Sequence, residues 1–272
     1  MKRILLLERA TGLHPEAIDF ACYIAKLLGS PLTGAFLEDN EHPGLRRVAD
    51  ETEDDCALPG AWGQPEVLPA DPVVKHFCDA CVGRESIYAL NPKTYVSVDE
   101  LVAESRFADL LLLRPDLLET GDTGSSPSRL ARFVLANAAC PVLLIPHSFI
   151  VPEEIVFTYD GSKASVFAIK QFTSLFSTAI SWKKVKLLLV NDFVQAPAMD
   201  EWMAAHYPKA ASVFLEGGTT TQLIEDLLPN DQSIVVMGAY SRTAFSRLMK
   251  KSNADPLIDI LLSPVFIAHG VH

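Results

Sequence analysis

The sequence predicts an α/β fold with two tandem five-stranded sheets, each mostly parallel and flanked by helices. Short apolar segments of strand length alternate with helical patterns along the chain, as in α/β proteins. Residues 4–37 give the first strand–helix–strand unit, in which a right-handed crossover makes the two strands parallel. The same order of elements returns in the second half. At 272 residues the chain has the length of two ordinary domains.

The first unit consists of one helix between two strands. Apolar residues 4–7 and 31–37 form the strands. Pro15 suits the first turn of the helix, where its missing N–H costs nothing, and Gly29 suits the end of the helix. The apolar face of the helix consists of Ile18, Ala21, Cys22, Ala25 and Leu28. This spacing gives the helix one side that can pack on a sheet.

Residues 38–71 differ in composition from the rest of the first half. They contain an acidic cluster between residues 51 and 55. The prolines that interrupt any long element are Pro43, Pro59, Pro65 and Pro69. A metal or general acid/base role for the carboxylates is one interpretation, but adjacent charges more commonly mark a solvated loop. We expect this segment to be an excursion outside the sheet.

The first half then continues with alternating elements. Its remaining strands are predicted at residues 95–98, at 108–113 and from Cys140 onward. Its remaining helices are predicted at 73–82, at 129–138 and from a cap at Asp99 through Phe107. This order completes five strands.

The second half repeats this order more compactly. Its strands are predicted at residues 155–159, 185–190, 212–215, 234–237 and 263–268. Its helices are predicted around the apolar stripe Ala168, Ile169, Phe172, Leu175 and Phe176, at 199–207, at 220–228 and from near Ser252. We therefore expect domains at 1–147 and 152–272, joined by a short hinge at 146–152.

Repeated motifs indicate a duplication. The segments Cys140-Pro-Val-Leu-Leu-Ile-Pro146 and Ser263-Pro-Val-Phe-Ile-Ala268 are two copies of an X-Pro-Val strand. The second half also contains Ile155-Val-Phe-Thr-Tyr-Asp-Gly-Ser162 and Val235-Val-Met-Gly-Ala-Tyr-Ser-Arg242. By the order and spacing of these motifs, the chain resembles the universal stress protein family in its tandem form along nearly its whole length. The resemblance implies an adenine-nucleotide-hydrolase-like, Rossmann-like fold whose two domains pair through strands at 142–145 and 265–268.

The resemblance also directs attention to the loop after the fourth strand of the second half. In nucleotide-binding members this loop has the form G-x-x-G-x9-G-[ST], and its backbone N–H groups hold the phosphates. The corresponding residues here are Gly238, Ser241, Lys251 and Ser252. Two of the three glycines are missing, so side chains stand where backbone would approach a phosphate. We expect the ordinary ATP cradle to be largely lost.

The first half departs further from the family pattern. Arg114 and Leu117 stand at the first two glycine positions, and Pro127-Ser128 at the last step. The family's acidic nucleoside contact at the end of the first strand corresponds to Asp160 in the second half but to Arg9 in the first. Asp160 therefore has two interpretations, a ligand contact or a polar turn with Gly161 and Ser162 that caps the next helix.

A C-x-x-C pair offers a different chemistry. Cys78 and Cys81, with His76 nearby, are the pattern of a redox pair or a zinc site. A structural zinc needs four ligands, however, and a redox pair normally opens a helix rather than lying inside one. We expect two small residues one helical turn apart, with neither a bridge between them nor a bound metal.

Composition limits the remaining function classes. The net charge of −11 disfavours nucleic acid and anionic lipid as partners. No apolar run has the roughly 18 residues that a membrane helix needs, and residues 1–7 are too short for a signal peptide. Five cysteines, an odd number, are typical of a reduced cytoplasmic protein. We expect a cytoplasmic location.

These observations favour a non-enzymatic stress-response or regulatory protein that acts by binding a ligand or a protein partner. No hydrolase signature is present, since the motif at Gly238 lacks the second glycine of a nucleophile elbow. No cofactor is expected. One alternative is an ATP- or AMP-binding switch with weak hydrolysis at the second domain, and another is a thiol or zinc protein. The two domains are expected to pair within the chain. A homodimer of the whole chain is a further possible assembly.

Overall fold

The structure is a computed structural model that describes residues 2–9, 13–37, 71–116, 129–146, 148, 150–177, 184–190, 197–215, 232–238 and 263–268. The predicted excursion up to residue 70, the predicted helix at 220–228 and the predicted helix from near Ser252 lie outside these residues. Every statement below concerns the described part of the chain.

In its described residues the first half contains five strands and four α-helices. The strands are β1 (Ile4–Arg9), β2 (Leu32–Leu37), β3 (Tyr88–Val96), β4 (Leu110–Leu113) and β5 (Val142–Leu144). The helices are α1 (Pro15–Leu27), α2 (Pro72–Gly83), α3 (Val98–Glu104) and α4 (Arg129–Asn137), with a 3-10 turn at Ser105–Phe107 after α3.

The second half also has five strands, with two helices among the described residues. The strands are β6 (Glu154–Tyr159), β7 (Lys184–Val190), β8 (Ala211–Leu215), β9 (Ser233–Gly238) and β10 (Val265–Ala268). The helices are α5 (Lys163–Leu175) and α6 (Pro197–His206).

All ten described strands belong to one sheet, in the order β3-β2-β1-β4-β5-β10-β9-β6-β7-β8. Within each half the pairing is parallel, and the order in the first half is the mirror of the order in the second. The two halves meet where β5 and β10 pair antiparallel, with Phe266 opposite Leu143. These are the two strands that the family resemblance implies for domain pairing. The predicted α/β fold with mostly parallel strands is confirmed, but the described strands of the two halves join in one ten-stranded sheet instead of forming two sheets.

Helices cover both faces of this sheet. One core contains the apolar faces of α1, α2, α5 and α6, and the other contains those of α3 and α4. The strands alternate between the two cores, as β1 shows: Ile4 and Leu6 face the first core, and Leu5 and Leu7 the second. The predicted stripe of α5 is buried in the first core, where Phe172 packs edge-on against Phe157 and Phe266.

The helix ends follow local chemistry. Gly29 has φ +58° just after α1, a conformation that favours glycine, so the predicted stop is confirmed. Asp71 caps α2 by accepting hydrogen bonds from the N–H groups of Val73 and Val74, at 2.8 and 3.2 Å.

The prediction around the third strand is wrong in two respects. β3 starts at Tyr88 rather than residue 95 and ends at Val96, since Val98 already belongs to α3. The cap of α3 is Ser97, not Asp99. The Ser97 side chain accepts from the Glu100 N–H, and the Glu100 carboxylate accepts from the Ser97 N–H at 2.9 Å. This reciprocal capping box satisfies two N–H groups at once, which Asp99 inside the first turn cannot do.

Candidate functional site

The topology creates two equivalent crevices at the carboxyl ends of the strands. In the first half the order reverses between β1 and β4, and in the second half between β6 and β9. Open α/β sheets bind ligands at such reversal points. We call them the first crevice, formed by Glu8, His14, Arg114 and Asp116, and the second crevice, formed by Asp160, Ser162 and Gly238.

A buried carboxylate lies in the first crevice. Glu8 is fully buried near the end of β1, and its Oε2 lies 3.2 Å from Nδ1 of His14, the residue that precedes α1. Its other oxygen, Oε1, has no hydrogen-bond partner among the described residues. A buried carboxylate oxygen without a partner is costly, so this atom is a candidate acceptor for a ligand donor.

An ion pair stands beside this carboxylate. Arg114 directly follows β4 and is 7% exposed. Its Nε and Nη2 donate to the two carboxylate oxygens of Asp116, at 2.9 and 2.6 Å. This bidentate geometry orients the guanidinium group toward Asp116. Arg114, which the family resemblance aligns with the first glycine of the motif, thus has a side chain held in an ion pair.

Burial dominates the electrostatics of the first crevice. It raises the pKa of Glu8 above its ordinary value, while His14 and Arg114 act in the opposite direction and the Asp116 carboxylate adds to the rise. The Asp116 carboxylate neutralises the Arg114 guanidinium group, and burial favours the uncharged form of Glu8. This arrangement therefore gives a phosphate little electrostatic attraction from the described Arg114 side chain.

In the second crevice, Asp160 forms the turn between β6 and α5. Its Oδ1 accepts from the Ser162 N–H at 3.0 Å, and Gly161 has φ +75°. Ser162 then caps α5, because its Oγ accepts from the Ser165 N–H at 3.1 Å. The polar-turn interpretation of Asp160 thus describes its local structure. A ligand contact by Asp160 stays a prediction.

Gly238 ends β9 in direct contact with the start of α5. A Cβ atom at this position would lie 2.5 Å from the carbonyl carbon of Ala164 and 2.7 Å from the Ser165 nitrogen. Packing alone therefore requires glycine here, whether or not a ligand binds. Ser241, Lys251 and Ser252, the other predicted residues of this site, lie outside the described residues.

The predicted thiol site has a different arrangement from the one that the C-x-x-C spacing suggests. Cys78 and Cys81 are buried on α2, whereas His76 is exposed on the same helix. Within the described ranges no three His, Cys, Asp or Glu side chains come together in a group suited to a metal ion. The sulfur atom of Cys81 instead lies 3.9 Å from that of Cys22 on α1.

Sequence reasoning missed Glu8, His14 and Cys22 as members of these clusters. Glu8 could have been noticed, because a carboxylate at the end of an apolar strand lies at the carboxyl edge of the sheet. The contact between Cys22 and Cys81 has no signal in the sequence, since 59 positions separate them.

Comparison with solved structures agrees with this architecture. A universal stress protein from Archaeoglobus fulgidus matches 97% of this chain over 98% of its own, with a TM-score of 0.63 and 13% sequence identity. A putative universal stress protein from Pseudomonas aeruginosa matches 98% of this chain over 93% of its own, with a TM-score of 0.60 and 12% identity. The chain has the universal stress protein fold. The resemblance inferred from the sequence motifs is confirmed at the level of the fold.

A third solved structure also shares the universal stress protein fold of this chain. This functionally unknown protein from Pseudomonas aeruginosa has a TM-score of 0.59 and 12% identity, and the match covers 98% of this chain and 92% of the other. No protein-family model and no curated protein sequence matches the chain. None of the described helices has the length and apolar character needed to cross a membrane.

Proposed function

We propose that this chain is a non-enzymatic regulatory protein of the stress response that acts by binding a ligand or a protein partner, with its ordinary ATP cradle largely lost. The observation that carries the proposal is the ion pair of Arg114 with Asp116, next to buried Glu8, at the reversal point of the first half. At the end of β4 the first crevice presents the Asp116 carboxylate and a guanidinium group held in an ion pair with it.

The second crevice supports the same proposal through Gly238. Its glycine is explained by the close contact with Ala164, so its presence does not imply a phosphate loop. The cytoplasm is the proposed place of action, since the described cysteines are free thiols, in keeping with a reducing compartment.

The alternative function is an ATP- or AMP-binding switch at the second crevice. It is favoured by the juxtaposition of Asp160 and Gly238, which lie at the ends of the paired strands β6 and β9. Both residues match the nucleotide-binding pattern of the family.

Isothermal titration calorimetry with ATP separates the two functions. We expect wild-type protein to bind ATP only at high micromolar concentration or more weakly. The double variant Ser241→Gly, Lys251→Gly should bind more tightly, with each ten-fold gain equal to about 1.4 kcal/mol. Tight ATP binding by wild type that is abolished in Lys251→Ala would establish the nucleotide switch and refute the proposal.

A further inference from the structure

Two buried cysteines from different helices meet in the core of the first half. Cys22 lies on α1 and is 2% exposed, and Cys81 lies on α2 and is fully buried. Their sulfur atoms are 3.9 Å apart, within the hydrogen-bond distance for sulfur. A disulfide bond requires about 2.05 Å, so a shift of less than 2 Å along this line would bring the two sulfur atoms to bonding distance.

The groups around this pair favour a charge on one of the two sulfur atoms. The hydroxyl group of Ser86 is buried and has no hydrogen-bond partner among the described residues. Its backbone N–H is held by the Cys81 carbonyl oxygen at 2.9 Å, which fixes this residue next to the thiol pair. An unpartnered buried donor gains a partner if a nearby thiol loses its proton.

Arg84 supplies a positive charge at the same place. Its guanidinium group donates to the Asp19 carboxylate of α1 and, through Nη1 at 2.8 Å, to the Ala80 carbonyl oxygen of α2. It therefore connects the two helices that carry the cysteines. The Arg84 charge favours a thiolate at Cys22, and the Asp19 carboxylate with which it pairs acts in the opposite direction.

The two thiols consequently differ in acidity. When Cys22 loses its proton, Cys81 S–H donates to the Cys22 thiolate. This hydrogen bond lowers the pKa of Cys22, with help from Ser86 and Arg84 and against the opposing effects of burial and the Asp19 carboxylate. The same hydrogen bond, together with burial, raises the pKa of Cys81. Cys22 is thus the nucleophile, and Cys81 is the thiol that keeps its proton.

We propose that Cys22 and Cys81 form a reversible oxidation site, at which hydrogen peroxide converts the two thiols into a disulfide that links α1 to α2. The Cys22 thiolate attacks one peroxide oxygen, so that an S–O bond forms and the O–O bond breaks. The released hydroxide takes a proton and leaves as water. The Cys81 sulfur then attacks the Cys22 sulfur, and the S–O oxygen leaves as water with the Cys81 proton. With hydrogen peroxide, two thiols are oxidised and one peroxide is reduced to two waters.

The sulfur contact of Cys81 is with Cys22 on the other helix, which favours this pair over the C-x-x-C pair. Burial raises the pKa of Cys78 and outweighs the opposing hydrogen bond from Tyr88. Cys140 lies in the core on the opposite face of the sheet, away from the cysteines of α1 and α2. Cys140 is therefore a matched control: a buried thiol of the same chain without a partner in the proposed site.

The proposed disulfide would close a long loop of chain. Residues 22 and 81 are 59 positions apart, and the acidic segment at 38–71 lies between them. Closing such a loop restricts the unfolded chain more than the folded one. Oxidation should therefore raise the melting temperature by about 5–10 °C, and a reductant should reverse the rise.

The test uses the full chain, reduced and then treated with hydrogen peroxide. Remaining thiols are blocked with N-ethylmaleimide in denaturant, and the protein is digested without reduction and analysed by mass spectrometry. We expect the chain to lose two of its five thiols and to give a peptide pair joined through Cys22 and Cys81, which dithiothreitol removes. The bridge should persist in Cys140→Ala and in Cys78→Ala.

Alanine variants of the two cysteines test whether the bridge depends on both of them. Cys22→Ala and Cys81→Ala should each lose the bridge and the reversible rise in melting temperature. Their circular dichroism shows whether they fold, and the wild-type result stands even if they do not. A wild-type bridge between Cys78 and Cys81, a bridge to any other cysteine in place of Cys22–Cys81, or retention of all five thiols after peroxide treatment would overturn the proposal.

Discussion

Replacing Gly238 by alanine tests the contact between β9 and α5. A Cβ atom at this position would lie 2.5 Å from the Ala164 carbonyl carbon and 2.7 Å from its oxygen, where ordinary contacts are 3.4–4 Å. The obstructing atoms are backbone, so no side chain can rotate away. β9 is also paired with β6 on one side and with β10 on the other, so it cannot move without breaking hydrogen bonds.

The expected cost follows from this geometry. Forcing an extra methyl group into a packed core destabilises a protein by about 1–3 kcal/mol, and a rigid obstruction points to the upper part of that range. For a chain of this size, the melting temperature should fall by roughly 5–10 °C. Since the cost arises from packing, saturating ATP should leave the difference from wild type unchanged.

Urea unfolding followed by circular dichroism measures this cost, with Gly83→Ala as the matched control. Gly83 is exposed at the end of α2, and a Cβ atom there would meet nothing within 4 Å. Because alanine has the higher helix propensity, the control should be neutral or up to about 1 kcal/mol more stable than wild type. Equal stability of Gly238→Ala and wild type would refute the packing argument. Ligand binding would then be the better explanation for a glycine at this position.

Two further predictions concern single side chains. Burial raises the pKa of Glu8, so the contribution of this group to stability should be fully present below its ordinary pKa of 4.5 and be lost as pH rises through the raised value. Glu8→Gln should remove this fall in melting curves recorded against pH, and an unchanged slope would show that Glu8 does not titrate in the crevice. Ser97→Ala should cost about 1 kcal/mol in urea unfolding because the α3 cap is lost, whereas an equal loss in Asp99→Ala would show that the cap is misassigned.

The sequence predicted elements well wherever burial is periodic. The stripe of α5 from Ala168 to Phe176 was assigned from its spacing alone, and each of its members is buried. The start of β3 was predicted at Tyr95 rather than at Tyr88, and the missed part of the strand contains Pro92. β3 lies at the edge of the sheet. An edge strand tolerates a proline, and the register of β3 on β2 shifts between Gly34 and Phe36.

The candidate sites were harder to predict than the fold. Gly238 and Asp160 were found because a family motif points to them, but the motif could not reveal that Gly238 is packed against Ala164. The contact of Cys22 with Cys81 depends on how α1 and α2 cross on the sheet, which no local pattern encodes. A contact between residues so far apart in the sequence is seen only when the packing of the two helices is known.

The antiparallel junction of β5 with β10 has a consequence for the two halves as separate polypeptides. Each of these strands would be an exposed edge if its half stood alone, and an open edge of apolar residues such as Val142 and Leu144 is a template for pairing with other chains. In the intact chain each half supplies the strand that closes the other. Cutting the chain between the halves would therefore leave two open strand edges that can pair with other chains. Joining the halves in one polypeptide keeps the correct partner strand at high local concentration.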